Sequence, residues 1–438
     1  MATMPREPLF EIFHAALEAA DPYGIVARHS DEVLARYWQG GFTRLYLVAF
    51  GKAASPMVRA AIETMGQAVT GGVAITKYGH LAPSEKHLAI DFREAGHPLP
   101  DENGLAATME IIRLAGTFDA RTFVLCLISG GGSALLVAPY GAISLKEKQE
   151  AVDLLLKGGA TIHELNAVRK HLSRVKGGRL AQIMSPATIE SLILSDVMGD
   201  DLDVIASGPT APDTSTYEGA LRVVEKYGLS TRLAPSILGL LKEGASGAAP
   251  ETPKAGDPVF SRVVNRIVGN NSGALEAAAR KARALGFDAA VSPEPVQGEA
   301  RDAGRRLAQK AMAVQSGRSP EAHTKRCLIS GGETTVSVKG HGLGGRNMEL
   351  ALAFALAVEG REGITLLSAG TDGTDGPTDA AGAIVDGKTA PDARARGISP
   401  EDYLARNDSY HFFEKAGGLL RTGPTGTNVM DIQVMLVK

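Results

Sequence analysis

The sequence has few cysteines and little net charge, and each shortage argues against a class of protein. Only two cysteines, Cys126 and Cys327, occur in 438 residues, and each directly precedes a Leu-Ile-Ser-Gly-Gly run. Small apolar side chains in strands explain both better than a disulfide or a metal pair, and buried thiols suit a reducing compartment. The formal net charge of −3 argues against a nucleic-acid-binding stripe, so we expect small-molecule partners.

Long hydrophobic runs are also missing. No apolar run approaches the roughly 18 residues that a membrane helix needs. Near the N-terminus, Phe10, Phe13, Leu17 and Ala20 have the spacing of a buried helical stripe, which is typical neither of a signal peptide nor of an anchor. We therefore expect a cytoplasmic protein that has no membrane partner.

Several short catalytic motifs are absent as well. The sequence contains no G-x-x-x-x-G-K-[ST], no G-x-S-x-G, no H-E-x-x-H and no C-x-x-C. Because the first of these is the P-loop, any phosphoryl transfer by this chain needs a different architecture.

The chain does show a regular alternation of strand-like apolar runs with segments of helix length. This alternation predicts an α/β fold with mostly parallel sheets, and the length exceeds that of one ordinary core. Between residues 242 and 258 the large apolar residues disappear and Gly, Ala, Pro and Glu collect, as in a linker. We expect an N-terminal domain over residues 1–245 and a smaller domain over 246–438, with the last strand able to join either sheet.

Two glycine-rich stretches directly follow strand-like runs, where open α/β sheets bind ligands. In the first, consecutive glycines permit positive φ and let backbone N–H groups converge on an anion, although a turn without a ligand is the alternative. The second adds an acid, Glu333, that suits a metal ion or a hydroxyl group. Two such turns would suit a phosphorylated nucleotide, and their candidate ligands are Ser129, Gly130, Gly131, Gly132, Ser133, Gly331, Gly332 and Glu333.

Two cations stand between a glycine and a predicted helix. Lys52 follows the run "LVAFG" and Arg346 follows "GHGLGG". A helix N-terminus disfavours a fixed cation by roughly 0.3–1 kcal/mol, so these positions favour a function in which an anion is bound beside them. A solvated surface residue is the alternative in both cases. The guanidinium of Arg346 suits a carboxylate or a transferring phosphoryl group.

Residues 340–345 also match the G-x-G-x-x-G motif of dinucleotide-binding enzymes. That fingerprint needs an acid about 20 residues later, at the end of the next strand, to hold the ribose. Glu359 and Glu362 come before the next strand-like run, so the register argues against a nicotinamide cofactor.

Acidic residues crowd two further turns. Asp372, Asp375 and Asp379 fall in one Gly- and Thr-rich loop, and Asp196 ends the run "IESLILSD". Such carboxylates are ligands for Mg²⁺ or bases for a substrate hydroxyl, and simple turn formation is the alternative. Asn270, which ends another strand in a polar turn, is a further candidate ligand.

A basic segment and one histidine remain ambiguous. Arg169, Lys170, Arg174 and Lys176 lie off a helical apolar seam, which favours a solvated helix face for most of them, with one or two left to face a cleft. For His97, a structural position in a loop is favoured over catalysis.

Eight stretches, taken in order, resemble the glycerate 2-kinases that carry a MOFRL domain, some of which are labelled hydroxypyruvate reductase. The resemblance spans nearly the whole chain. The stretches are "VAFGKAA", "GHPLPDENG", "LISGGGSALL", "NAVRKHLSRVKGGRLA", "SDVMGDDLDVIASGPT", "SGGETTV", "GHGLGGRNMELAL" and "SAGTDGTDGPTDAAGAIVD".

The resemblance implies phosphorylation of D-glycerate to 2-phosphoglycerate with ATP and Mg²⁺. It also implies a cleft between a Rossmann-like N-terminal domain and a smaller MOFRL domain, and it gives prominence to Lys52 and Arg346. An NAD(P)H-dependent hydroxypyruvate reductase and a non-catalytic sensor of sugar acids are the alternatives. A homodimer is left open.

With this resemblance, we place the ATP phosphates on residues 129–133 and let Lys52 and Arg346 hold the glycerate carboxylate or the transferring group. Asp196, Glu333 and Asp372 are the candidates for binding Mg²⁺ and for the base that takes the proton of the 2-hydroxyl. The residues alone do not rank these three acids.

Overall fold

The computed structural model describes residues 6–81, 89–317 and 325–438. The chain divides into two compact units. One is Pro22–Val268, called here the parallel-sheet unit, and the other is Gly269–Lys438 with the N-terminal segment that ends at Asp21, called the mixed-sheet unit.

The elements up to the end of the first sheet follow each other closely. They are α1 (Glu7–Ala19), α2 (Pro22–Gln39), β1 (Arg44–Phe50), α3 (Ala54–Met65), β2 (Val69–Lys77), β3 (Ile90–Ala95), α4 (Glu102–Ala115), β4 (Thr122–Ile128), α5 (Gly132–Leu135), α6 (Leu145–Lys157), α7 (Ile162–His171), α8 (Arg179–Met184), β5 (Thr188–Leu194), α9 (Tyr217–Lys226), α10 (Pro235–Ala245) and β6 (Val263–Gly269). Short 3₁₀ helices cover Gly66–Ala68, Ile205–Ser207 and Pro258–Arg262.

The remaining elements belong to the mixed-sheet unit. They are α11 (Asn271–Ala284), β7 (Asp288–Val291), β8 (Val296–Glu299), α12 (Ala300–Ser316), β9 (Arg326–Thr335), α13 (Arg346–Ala357), β10 (Ile364–Gly370), β11 (Gly382–Asp386), α14 (Thr389–Ala395), α15 (Pro400–Ala405), α16 (Ser409–Ala416), β12 (Leu419–Leu420) and β13 (Asp431–Val437).

The parallel-sheet unit confirms the α/β prediction and has the strand order of a doubly wound nucleotide-binding fold. Its sheet runs β3-β2-β1-β4-β5-β6. Strand β1 pairs in parallel with both β2 and β4. Every residue of β4 is buried, as expected for a strand with helices on both faces. Because the strand order reverses at β1 and β4, the turns that follow these two strands open the crevice where such folds bind ligands.

The mixed-sheet unit is less parallel than the alternation of elements predicts. Its sheet runs β12-β11-β10-β13-β9-β7, and β8 pairs with β9. The C-terminal strand β13 lies inside this sheet, antiparallel to both β10 and β9. The last strand therefore joins the second sheet and not the first, and it places its first residue, Asp431, opposite Gly370 and Gly332.

The units also differ from the predicted division at 245/246. The segment with linker composition packs on the parallel-sheet unit, where Thr252 donates a hydrogen bond to Asp213 (2.9 Å) and Asp213 N donates to Pro253 O (3.0 Å). After it the chain adds β6 to the first sheet. A scarcity of large apolar residues suggested a linker, but here backbone and side-chain hydrogen bonds hold the segment.

The first helix, in contrast, belongs with the C-terminal part of the chain. Glu11 of α1 forms a salt bridge with Lys281 of α11 (2.7 Å), and Thr427 donates a hydrogen bond to Ala20 O (2.6 Å). The buried face of α1 includes Phe13, whereas Phe10 is 44% exposed, so the predicted stripe is partly shifted. None of the helices described here combines the length and the apolar composition that would let it cross a membrane.

Candidate active site

In the parallel-sheet unit, the turns after β1 and β4 are hydrogen-bonded to each other. Lys52 N donates to Gly130 O (2.8 Å), and Ala53 N donates to the Ser129 hydroxyl (3.0 Å). Both strands end at the same edge of the sheet because they are parallel neighbours. The structure thus brings together Lys52 and the glycine-rich turn that the sequence singled out.

Two glycines of this turn leave no room for a side chain. A Cβ added at Gly130 would lie 2.2 Å from the Asp196 carboxylate. At Gly131, whose φ is +80°, a Cβ would lie 3.0 Å from His97 Nε2 and 3.2 Å from Lys52 Cγ. Asp196, His97 and Lys52 therefore surround the backbone of residues 130–131.

The lysine beside this turn, Lys52, forms no ion pair with any described residue. Within the described ranges, the Lys52 ammonium has neither a hydrogen-bond nor an ion-pair partner. Burial and then the nearby Lys52 charge lower the pKa of His97 to about 4, so His97 is neutral at pH 7. A lysine without a partner beside backbone N–H groups suits an anion.

A buried polar network adjoins the turn, and the sequence analysis missed it. Lys176 is 1% exposed, and its ammonium donates to Ser133 O (2.8 Å), the Ser133 hydroxyl (3.1 Å) and Ala206 O (3.3 Å). The Ser133 hydroxyl lies 2.9 Å from that of Ser207, which donates to Asn166 Oδ1 (3.1 Å). The expectation of a solvated helix face is wrong for Lys176, because the chain turns at the two glycines that follow it.

Part of this network is held in an unusual backbone conformation. Ala206 (φ 51°) and Ser207 (φ 62°) both adopt the left-handed region, which residues with a Cβ rarely visit. Such conformations persist only when the surroundings enforce them, and they cluster at functional sites. The sequence did not signal this constraint, because Ala and Ser, unlike Gly, Asn or Asp, do not favour positive φ.

In the mixed-sheet unit, Arg346 opens α13 and is held by two carboxylates. Its Nε and Nη2 donate to the two oxygens of Asp431 (2.6 and 2.9 Å), and its Nη1 forms a salt bridge with Glu333 (2.7 Å). The structure brings together the predicted residues Arg346 and Glu333. Asp431, only 1% exposed, was not predicted, although an acid directly before the final apolar run was visible in the sequence.

The three acids of the loop after β10 have separate environments. Asp375 accepts hydrogen bonds from Asn347 N (3.0 Å) and Met348 N (2.8 Å) and so caps α13, while burial raises its pKa to about 7. Asp379 is exposed and bonds Tyr410 and Arg421.

Asp372, by contrast, keeps one oxygen free. Its Oδ1 accepts hydrogen bonds from Thr374 N (3.1 Å) and the Thr374 hydroxyl (3.2 Å), while Oδ2 has no hydrogen-bond partner among the described residues. A Cβ added at Gly370 would lie 3.3 Å from the Asp372 carboxylate and 3.5 Å from that of Asp431, so both acids border the same residue.

The second glycine pair is not a turn, and that prediction is wrong. Gly331 and Gly332 lie inside β9, where they pair with β13. A Cβ at Gly331 would be 2.1 Å from Asn271 Oδ1, and one at Gly332 would be 2.4 Å from Val296 O. The glycines are needed because the chain itself approaches closely. Asn270 accepts a hydrogen bond from Gly273 N (2.9 Å) and caps α11, and its role as a ligand stays a prediction.

The glycines of the G-x-G-x-x-G motif also face the protein. A Cβ at Gly340 would be 2.1 Å from Arg406 O, and one at Gly342 would be 2.5 Å from Asp408 Cα. Asn407 Oδ1 holds the loop by accepting hydrogen bonds from Lys339 N and Gly340 N. These glycines therefore accommodate residues 406–408 and not a dinucleotide, although a cavity of about 530 Å³ with a wall containing Arg346 lies beside the loop.

The predicted metal ligands do not form a closed cage. Among the residues that the structure describes, no group of three or more His, Cys, Asp or Glu side chains could hold a metal ion. Mg²⁺ commonly keeps several waters and binds one or two carboxylates together with substrate phosphates. Asp196, which borders the glycine-rich turn, and Asp372, which has a free oxygen, fit that pattern. Glu333 fits it less well because it is paired with Arg346.

Known protein families and relatives match most of the chain. A model of a domain of unknown function, DUF4147, matches residues 8–242, and that of the MOFRL family matches residues 326–431. A D-glycerate 2-kinase from Thermotoga maritima is 48% identical over 90% of this chain and 91% of its own.

Two further matches cover almost all of the chain. The crystal structure of a glycerate kinase from Thermotoga maritima has a TM-score of 0.88 at 45% identity and covers 99% of both chains. A relative from Agrobacterium vitis, provisionally named a hydroxypyruvate reductase, is 40% identical over 99% of this chain and 94% of its own. Because proteins named as glycerate kinases match this chain at such identity and coverage, the chain belongs to the glycerate 2-kinase family.

Proposed function

We propose that this protein transfers the γ-phosphoryl group of ATP to the 2-hydroxyl of D-glycerate, with Mg²⁺, in the cytoplasm. The observation that carries the proposal is the glycine-rich turn beside Lys52, which has no ion-pair partner among the described residues, at the point where the strand order reverses. The kinase names of relatives of high identity and coverage support the choice of substrate.

The parallel-sheet unit supplies an anion site in this proposal. Residues 129–133 bind the ATP phosphates through backbone N–H groups and the Ser129 and Ser133 hydroxyls, and Lys52 contributes a positive charge. Phosphoryl transfer depends mostly on positioning and on neutralising charge. A turn beside a lysine that no described side chain neutralises matches this requirement.

The mixed-sheet unit supplies a guanidinium and a base. Arg346 is oriented by Asp431 and Glu333, and each of its terminal nitrogens has a second N–H to offer a carboxylate or a phosphoryl oxygen. Asp372 takes the proton of the 2-hydroxyl through Oδ2, the oxygen to which no described residue donates a hydrogen bond.

Mg²⁺, when bound with ATP, would neutralise charge on the phosphates, and Asp196 is the residue proposed to hold it. The acid borders Gly130, whose backbone belongs to the proposed phosphate site. Asp372 is the other carboxylate that fits this role, and substituting each separately distinguishes the two.

The test is a pair of assays on the same purified protein. We expect ADP release that requires D-glycerate, followed by a pyruvate kinase and lactate dehydrogenase couple. Its dependence on Mg²⁺ is measured by chromatography of ADP, because pyruvate kinase itself needs Mg²⁺. In parallel, NADH and NADPH are each mixed with hydroxypyruvate and their absorbance is followed. Oxidation of either nucleotide without glycerate-dependent ADP release would refute the kinase proposal and favour the reductase.

A further inference from the structure

Arg169, on α7, is a partly buried guanidinium that no described residue of its own unit neutralises. It lies three residues after Asn166, so the two side chains share a helix face, and Asn166 accepts the hydrogen bond of Ser207. Across the described ranges, Arg169 has no hydrogen-bond, ion-pair or ring partner. Desolvation lowers its pKa, as expected for a cation removed from water without a counter-charge.

Two lysines close enough to Arg169 to be affected by its charge have the same sign as Arg169. Lys176 donates to Ser133, and among the described residues Lys148, 4% exposed, donates only to Leu172 O (3.1 Å). Desolvation and then the charges of Lys148 and Arg169 lower the pKa of Lys176, and burial lowers the pKa of Lys148 to about 7. These three residues, called here the basic cluster, have no carboxylate partner among the described residues, and burial and mutual repulsion disfavour the charged forms of the two lysines.

Three nearby acids are already bonded to other side chains. Asp203 and Asp213 both form salt bridges with Lys170, and Glu251 bonds His171 (2.7 Å). These three carboxylates therefore do not neutralise the basic cluster. Burying an unpaired charge raises the free energy of the folded protein, and a bound anion would lower it.

We infer that Arg169 binds a carboxylate or phosphoryl oxygen of a substrate beside the hydrogen-bonded network of Ser133, Ser207 and Lys176. The identity of the substrate rests on the proposed function, whereas the anion site rests on the side chains. Arg169 offers two parallel N–H groups to such an anion, and Arg169 and Ser133 are both partly exposed, which gives an anion access to the site.

The test compares Arg169→Ala and Arg169→Lys with the wild-type protein and with Arg174→Ala as a matched control. Arg174 follows Arg169 closely in the chain, and within the described part of the chain its guanidinium donates a hydrogen bond only to the Met109 sulfur. Isothermal titration calorimetry measures the Kd of D-glycerate alone and of ATP alone, and steady-state kinetics measures the KM of each. Thermal unfolding without ligand completes the set.

We expect Arg169→Ala to raise the Kd and the KM of one of the two ligands roughly tenfold or more. The lysine variant should lie between alanine and wild type because it offers only a point charge. A rise for D-glycerate identifies a carboxylate subsite, and a rise for ATP identifies a phosphoryl subsite. Removal of an unpaired cation should leave the Tm unchanged or raise it, which distinguishes a ligand-binding role from a structural one.

Values of Kd for both ligands within twofold of wild type in Arg169→Ala would overturn the inference. So would equal losses in Arg169→Ala and Arg174→Ala, because they would indicate a general surface effect. Binding of D-glycerate or ATP that depends on Arg169 in a protein without phosphoryl transfer would refute the proposed function and leave the anion site standing.

Discussion

Replacing Arg346 with alanine removes the guanidinium that bonds the Asp431 and Glu333 carboxylates in the mixed-sheet unit. The guanidinium is about one-third exposed, but the Asp431 carboxylate that it holds through two hydrogen bonds is 1% exposed. Removing one partner of a buried pair costs about 3–5 kcal/mol, because the remaining charge is left without compensation. Since Arg346 itself is partly solvated, we expect about 3 kcal/mol, equivalent to a decrease of roughly 6–12 °C in Tm at pH 8.

The loss should depend on pH in a defined direction. Burial raises the pKa of Asp431 even with Arg346 present, and removing the arginine raises it further. A carboxyl group whose pKa is raised by folding destabilises the folded protein as pH increases above the ordinary carboxyl pKa. The difference in Tm between Arg346→Ala and wild type should therefore be smaller at pH 5 than at pH 8.

Differential scanning calorimetry at pH 5 and pH 8 measures this effect. The double variant with Asp431→Asn provides the control, because a neutral amide no longer needs the guanidinium. It should recover part of the Tm that Arg346→Ala loses at pH 8. A single variant with the wild-type Tm at both pH values would refute the argument that Arg346 neutralises buried Asp431.

The remaining predictions concern the glycine-rich turn, the acidic loop and the thiols. Asp372→Asn should lower kcat by about 10²–10⁴ with little change in Tm, whereas Asp379→Asn, a surface acid of the same loop, should keep its kcat. Gly130→Ala should displace the Asp196 carboxylate and lower activity. Gly239→Ala should keep its activity, because the position of the added Cβ is open. Burial raises the pKa of both cysteine thiols to about 12, so neither should react with a thiol reagent at pH 8 until the protein is denatured.

The sequence was sufficient to predict those parts of the site that follow directly from a strand. Lys52 and the turn of residues 129–133 were identified because each ends an apolar run, and parallel neighbours place such ends side by side. The sequence did not predict that β1 and β4 are neighbours, because strand order depends on contacts between distant segments. It therefore predicted Lys52 and the turn of residues 129–133 separately, as two parts of the proposed phosphate site.

Other residues depended on packing that periodicity does not report. Lys176 has the spacing of an exposed helical position, yet it is buried by a turn at the following glycines and by the loop at Ser207. Gly331 and Gly332 looked like a second ligand turn, but they are small because β8 and α11 approach β9. Glycine marks close approach in both cases, and only the structure shows whether a ligand or the chain itself is the neighbour.

The measurement that tests the central claim most directly is phosphorus NMR of the product formed from D-glycerate, ATP and Mg²⁺. Spectra are compared with those of authentic 2-phosphoglycerate and 3-phosphoglycerate added to the same mixture. The account predicts a single new phosphomonoester signal that coincides with 2-phosphoglycerate and grows in step with ADP. A signal at 3-phosphoglycerate, or ADP formation with no new phosphomonoester, would contradict it.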